Sequence, residues 1–345
     1  MKTLIGRLSA NRRTRIGTTA NRPHPRRLMT LAALAAASLT AVPALAQTYP
    51  ARPMTMVVPF APGGASDVTA RTLASRMGEI LGQNVIIENK PGAGGSIGAA
   101  SVARAEPNGY TLLFWNVGLV TTAHLGSLPY DHLKDFQPVG LAGATPTILT
   151  VGPSVAAKDL GEFIRLAQGS PGRITFGSSG LGASDHLALE LFQKMANIQL
   201  THVPYKGGAP ATTAAMSGEI DLVGLSAGSV LGQIRAGRLR ALAMGSAQRY
   251  SQLPEVPTAT EAGVPGYVVD VWLGVWAPAG TPPAIVNRLN EAMRAALSTE
   301  SVRAALAKSG IEAVSSASPA EFAAFVRVES EKWGQVIRDA KIKVQ

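Results

Sequence analysis

The chain has 345 residues, no cysteine, and 32 Lys or Arg against 22 Asp or Glu. The absence of cysteine excludes disulfides, a thiolate metal site, a cysteine nucleophile and a lipid-modified cysteine at a cleavage site. The basic excess is uneven: residues 1–46 hold eight Lys or Arg and no acid. Without them, 299 residues remain with 24 basic against 22 acidic side chains, so charge gives no reason to expect nucleic acid or an acidic membrane as partner.

Residues 1–46 read as a signal peptide. A basic start is followed by the apolar run Leu28 to Val42, too short for a comfortable membrane span. Pro43-Ala44-Leu45-Ala46 then offers small residues where a signal peptidase reads, so cleavage is expected before Gln47. Arg12-Arg13 and Arg26-Arg27 raise a twin-arginine route, although an ordinary positive n-region accounts for them more simply. No later segment is apolar enough for long enough to span a bilayer, and a chain of this length favours two domains.

After the leader, apolar runs alternate with helix-period segments, the pattern of α/β proteins with parallel strands. Strand Met54 to Pro59, helix Asp67 to Leu81, strand Asn84 to Glu88, helix Ser96 to Ala105 and strand Tyr110 to Trp115 form a first set. Thr145 to Val151 is extended, and Leu160 to Ala167 is helical. A second set runs through strand Ile174 to Gly177, helix Ser184 to Ala196, strand Leu200 to Tyr205, helix Ala209 to Ser217, and strands Ile220 to Leu225 and Leu239 to Met244. Val268 to Ala277 is extended again. The amphipathic helices Pro283 to Leu297 and Pro319 to Ala340 have no strand set of their own, so they should pack back on the first lobe. The expected architecture is α/β, with lobe 1 from 47–145 plus 271–345, lobe 2 from 146–270, and two crossings between them.

Two segments repeat one design. Ala61 to Asp67 (APGGASD) joins a strand to a helix, and its glycines permit positive φ and close approach of a ligand. Phe176 to His186 (FGSSGLGASDH) does the same in the second set, with Ser184 as the expected helix cap. Such turns aim backbone N–H groups and helix N-termini at one point and suit an anion, although each alone also suits a plain capped turn. If the lobes face each other, both point into one cleft that fits a small molecule with two negative ends. A third helix start, Gly207 to Ala211, also carries a routine N-terminal proline.

Rival chemistries lack their residues. Gly177-Ser178-Ser179-Gly180-Leu181 fails the nucleophile-elbow pattern at its last position, and His186 is too near Ser179 to serve as a triad base. The glycines from Gly92 to Gly98 fail the dinucleotide fingerprint at Ile97. His124, His132, His186 and His202 show no metal-ligand spacing; His186 reads as a surface or capping residue and His202 as half-buried in a strand. No catalysis, cofactor, metal or nucleic acid is expected.

In ordered blocks across nearly all of the mature chain, the sequence resembles the tripartite tricarboxylate transporter substrate-binding proteins, the Bug or TctC-like receptors. The blocks include YPARPMTMVVPFAPGGASD from Tyr49, IIENKPGAGGSIGAASVARAEPNGYTLL from Ile86, LPYDHLKDFQPV from Leu128, FGSSGLGASDHLALELF from Phe176, HVPYKGGAPA from His202 and WLGVWAPAGTP from Trp272. The resemblance implies a type II periplasmic-binding-protein fold whose cleft closes on a small organic carboxylate, and a monomeric receptor that serves separate membrane subunits. It implies recognition by backbone amides and waters rather than an arginine clamp. By position it implies binding through Phe60, Gly64, Ala65, Ser66 and Asp67 in one lobe. In the other it implies Ser178, Ser179, Gly182, Ala183 and Ser184, together with Ala209, Pro210 and Ala211. Trp115 and Asn116 end the third strand, where open α/β sheets bind ligands, and Trp115 departs from the smaller residues common in relatives. It could narrow the cleft or stack on an aromatic acid. An extracytoplasmic sensor feeding a two-component system would need the same cleft.

Overall fold

The computed structural model describes residues 49–342 apart from Ala61, Gly63 and Gly64, together with Gly17. The expected signal peptide, its cleavage before Gln47 and the candidate residue Gly64 lie outside the described residues. Tyr49 opens one compact unit. No helix among the described residues is long and apolar enough to cross a membrane.

In the first sheet, β1 (Met54–Val58) lies between β2 (Val85–Asn89) and β3 (Thr111–Asn116), all parallel. β1 is buried on both faces, as its unbroken MTMVV requires, whereas edge strand β2 is only half-covered. Helix α1 (Ala65–Leu81) returns the chain from β1 to β2, and α2 (Ser96–Ala103) precedes β3. The short α3 (Gly118–Thr122) follows β3, and β4 (Phe136–Thr145) ends the first pass.

The second sheet is built from β5 (Thr147–Val151), β6 (Thr175–Ser178), β7 (Thr201–Pro204), β8 (Leu222–Ser226) and β9 (Arg240–Met244). Its helices are α4 (Leu160–Gly169), α5 (Ser184–Ala196), α6 (Gly208–Ser217) and α7 (Ala227–Arg235). β10 (Val271–Pro278) then returns to the first sheet, followed by α8 (Pro283–Ser298), α9 (Glu300–Lys308) and α10 (Pro319–Asp339). The strand orders are β2-β1-β3-β10-β4 and β7-β6-β8-β5-β9.

The sheets are mixed, where a parallel pattern was expected. β10 runs antiparallel to β3 and β4, and β5 antiparallel to β8 and β9. Strand β4 escapes sequence reading because FQPVGLAGAT carries Pro138 and two glycines, Gly140 and Gly143. It sits at a sheet edge, where proline is tolerated, and its register against β10 skips Val139 and Ala142. Gly140 is forced by packing: a Cβ there would fall 2.3 Å from Cε of Met293.

Helix α8 packs on α1 and β4, as expected for the first lobe. Helix α10 does more: it covers β4 and α3 and also meets α5 of the second sheet, where Lys194 pairs with Asp339. Trp272, Trp276, Phe322 and Trp333 are buried around it. Glu329 of α10, also buried, accepts from the indole N–H groups of Trp272 at 2.8 Å and Trp333 at 3.1 Å. Lys332 pairs with Glu329 and donates to the Val268 carbonyl at 3.2 Å. Glu329→Ala removes the acceptor from two buried donors, so it is expected to cost about 2–4 kcal/mol in urea denaturation, and Glu329→Gln clearly less.

Candidate functional site

β1 runs out through Pro59 and Phe60 into the turn that opens α1, and β6 runs out at Ser178 into the turn that opens α5. Both turns follow the carboxyl ends of parallel strands, where α/β sheets place ligands. One cavity of about 1160 Å³ joins these ends. Phe60, Trp115 and Asn116 line it from the first sheet, and Ser179, Gly182, Ala183 and Ser184 from the second.

Of the other described candidates, Ser66, Asp67, Ser178, Ala209, Pro210 and Ala211 are not among the cavity's lining residues. Asp67 is buried: its Oδ2 accepts from Nε of Arg71 at 2.9 Å and its Oδ1 from Nδ2 of Asn89 at 2.8 Å. The same Asn89 amide donates to the Phe60 carbonyl at 3.0 Å, so Asp67 fixes the end of β1 from behind. Ala65 opens α1 and Ser66 is half-buried in its first turn. Ser178 is fully buried beneath its turn. Ala209, Pro210 and Ala211 lie in the first turn of α6 and are not on the cavity wall; Ala211 belongs to the core under the second sheet.

Ser184 does not cap α5. The N-cap is Ala183, without a side-chain cap bond. Asp185 instead accepts from the backbone N–H of Ser179 at 2.5 Å and from its hydroxyl at 2.6 Å. Burial pushes the Asp185 carboxyl up, and the Ser179 bonds oppose that shift. The tetrapeptide Gly-Ala-Ser-Asp occurs at 64–67 and again at 182–185. In both copies the Asp folds back onto its own lobe, away from the cleft.

A stack of rings supports the second turn. His186 and His202 lie 4.0 Å apart and nearly parallel, with Phe176 4.7 Å from His202. His186 was expected at the surface or as a capping residue; it is buried, which excludes the surface position, and its Nδ1 accepts from the Gly182 N–H at 3.1 Å, just before the start of α5. The Ser178 hydroxyl lies 2.7 Å from Nε2 of His202. Burial, then repulsion from His186, depresses the His202 imidazole to about 4.

Trp115 is fully buried and offers no open face for stacking. Its six-membered ring lies against Gly95, where a Cβ would fall 2.5 Å from Cζ2, and Phe60 meets it edge-on at 6.4 Å. The indole therefore shapes the wall. Asn116 accepts from the Gly118 N–H at 2.8 Å and steadies the start of α3.

Sequence reasoning missed a second wall, made by Ser96, Ile97, Ala100 and Arg104 of α2 and its end. Nothing local marks these residues; only the packing of α2 beside β1 brings them to the cleft. Arg104 is the one charged side chain among the described lining residues.

A cavity of about 320 Å³ also lies at the crossings, lined by Asp270, Glu312, Trp272 and Phe325 among others. Burial pushes the Asp270 carboxyl up to about 7. Two carboxylates and no base make this pocket the wrong sign for an anion, so the larger cleft is the better candidate.

The family model for the tripartite tricarboxylate transporter family receptor matches residues 69–342. The chain belongs to that receptor family. It is 38% identical to Protein BugT of Bordetella pertussis over 310 residues, 88% of this chain and 94% of BugT. The structure of the periplasmic binding protein BugD is similar at TM-score 0.71 and 34% identity, over 86% of this chain and 100% of that one. R. palustris Rpa4515 with adipate gives TM-score 0.74 and 36% identity over 86% and 99%. MatC from Rhodopseudomonas palustris, with bound malate, gives 0.71 and 34% over 84% and 100%. These neighbours establish the type II periplasmic-binding-protein fold for this receptor: two α/β lobes, two crossings and a cleft between them.

His202 gives this receptor an acid-sensitive turn. Its folded imidazole is depressed from the ordinary 6.5 to about 4, so the unfolded chain binds the extra proton first as pH falls. Stability should be insensitive to this residue above pH 6.5 and fall between there and about 4. Denaturant midpoints across that range should show a shallower acid decline in His202→Gln than in the parent protein.

Proposed function

We propose that this chain is a periplasmic receptor that captures a small organic carboxylate between its lobes and delivers it to the membrane subunits of a tripartite tricarboxylate transporter. The observation that carries this is the cleft itself. It joins two strand-to-helix turns, and its described wall holds one guanidinium and no carboxylate. Backbone N–H groups and helix N-termini at both turns favour an anion. The nearby acids Asp67 and Asp185 are engaged with their own lobes, which keeps their charge turned from the ligand. Adipate in one solved relative and malate in another support the carboxylate class.

The lobes in this reading are 47–145 with 271–345, and 146–270. Closure about the crossings presents the loaded form to the membrane partners. The signal peptide 1–46 is removed before Gln47, and the monomer diffuses freely in the periplasm. The chain binds and releases its ligand without chemical change. Direct contact falls to Phe60, Asn116, Ser179, Gly182, Ala183 and Ser184 and to the backbone of the turn at Gly64 and Ala65. Trp115 shapes the wall, and Asp67 and Ser178 position the turns.

Thermal shift of residues 47–345 against a panel of small carboxylates, adipate and malate included, tests the reading. A ligand that binds only the folded state raises the melting temperature. A concentration-dependent rise, confirmed by calorimetry, is expected. If no acid shifts the protein and mass spectrometry of denatured protein finds no co-purified acid, the carboxylate reading fails. Cells lacking the chain should lose uptake of the acid identified; unchanged uptake would remove the delivery step.

A further inference from the structure

Helix α2 turns one stripe to the cleft: Ile97, Ala100 and Arg104, spaced three and then four residues apart. Its start lies against the end of β1, where a Cβ on Gly98 would fall 2.9 Å from Cβ of Pro59. A rise of about 1.5 Å per residue puts Arg104 about 9 Å further along the helix axis. The cleft wall is thus apolar beside the first turn and cationic at its far end.

The Arg104 backbone N–H donates to the Val102 carbonyl, but its guanidinium makes no hydrogen bond or ion pair with any described residue, and the side chain is exposed. It is also the C-cap of α2, where a cation suits the helix dipole. The dipole accounts for a basic residue at this position, but it does not require a guanidinium left unpaired on the wall of an anion site. A guanidinium is a planar fork of donors that matches a carboxylate in a bidentate pair.

We propose that Arg104 sets the ligand class: it binds the second carboxylate of a linear dicarboxylate whose first carboxylate sits at the strand-to-helix turns. The apolar spacer lies along Ile97 and Ala100, with Leu181 facing it from the second lobe. Leu181 and Ile97 are both more than half exposed, apolar side chains free to cover such a spacer. A short hydroxy-acid with no apolar stretch would reach either the turns or Arg104. This assignment rests on the carboxylate-receptor reading above.

The test compares adipate with hexanoate, which keeps the six-carbon chain and lacks one carboxylate. Calorimetry is run on the parent protein, Arg104→Gln and Arg104→Lys. The parent should bind adipate at least about tenfold more tightly than hexanoate. Arg104→Gln should lose that factor for adipate and change hexanoate less than about twofold, and Arg104→Lys should fall between. Unchanged melting temperatures of the ligand-free variants would separate the ligand role from a helix-dipole role. A parent that binds both acids equally, or an Arg104→Gln variant that keeps the preference, overturns the assignment and leaves the receptor reading standing. Binding of neither acid overturns the linear dicarboxylate; if no carboxylate of any kind binds, the receptor reading falls with it.

Discussion

Strands β5 and β10 each arrive from the other lobe and pair antiparallel inside the sheet they enter. Their backbone groups are buried and must be satisfied there, so the pairing sets the relation of both lobes. Thr147, at the start of β5, sits opposite Ser226 at the end of β8. Leu273, near the start of β10, sits opposite Asn116 at the end of β3. Both crossings therefore lie at the carboxyl ends of the parallel strands. The turns after β1 and β6 leave from those same ends, so two separate sheets present their ligand-binding edges to one cleft.

The electrostatics of the cleft follow from that placement. Helix N-termini bring partial positive charge to both turns, yet each helix also carries an acid in its first turn. An acid there favours the helix and would oppose an anionic ligand. The conflict is resolved geometrically: Asp67 is drawn back by Arg71 and Asn89, and Asp185 by Ser179. Each carboxylate then organises the strand end that precedes its helix. The His186–His202 stack adds a second support in one lobe only, so the two turns share a design but not an underpinning.

The binding lobes are tied by more than the two crossings. Helix α10 reaches from β4 to α5, and its buried Glu329 joins Trp272, beside the second crossing, to Trp333. Ser251 from the second lobe donates to Glu312 at 3.1 Å, and Glu312 is bridged to Ala144 beside the first crossing. Movement about the crossings must carry or break these contacts, so the carboxyl-terminal segment is part of the mechanical link between lobes.

Much of this was legible in the sequence by itself. The alternation of apolar runs and helix periods, the two glycine-rich turns and the two crossings are local patterns, because burial of a strand and the start of a helix leave their marks on adjacent residues. Strand β4 was not legible, since an edge position tolerates the proline and glycines that hide it. Nor were the antiparallel insertions of β5 and β10, because extended sequence does not encode its direction against a distant neighbour. The withdrawal of Asp67 and Asp185 was equally hidden: the Gly-Ala-Ser-Asp repeat is plain in the sequence, but whether an acid faces a ligand or its own lobe depends on where Asn89 and Ser179 fall. Arg104 is the clearest case. Its position on the cleft wall is decided by the packing of α2 beside β1, a contact between segments whose sequences carry no record of each other.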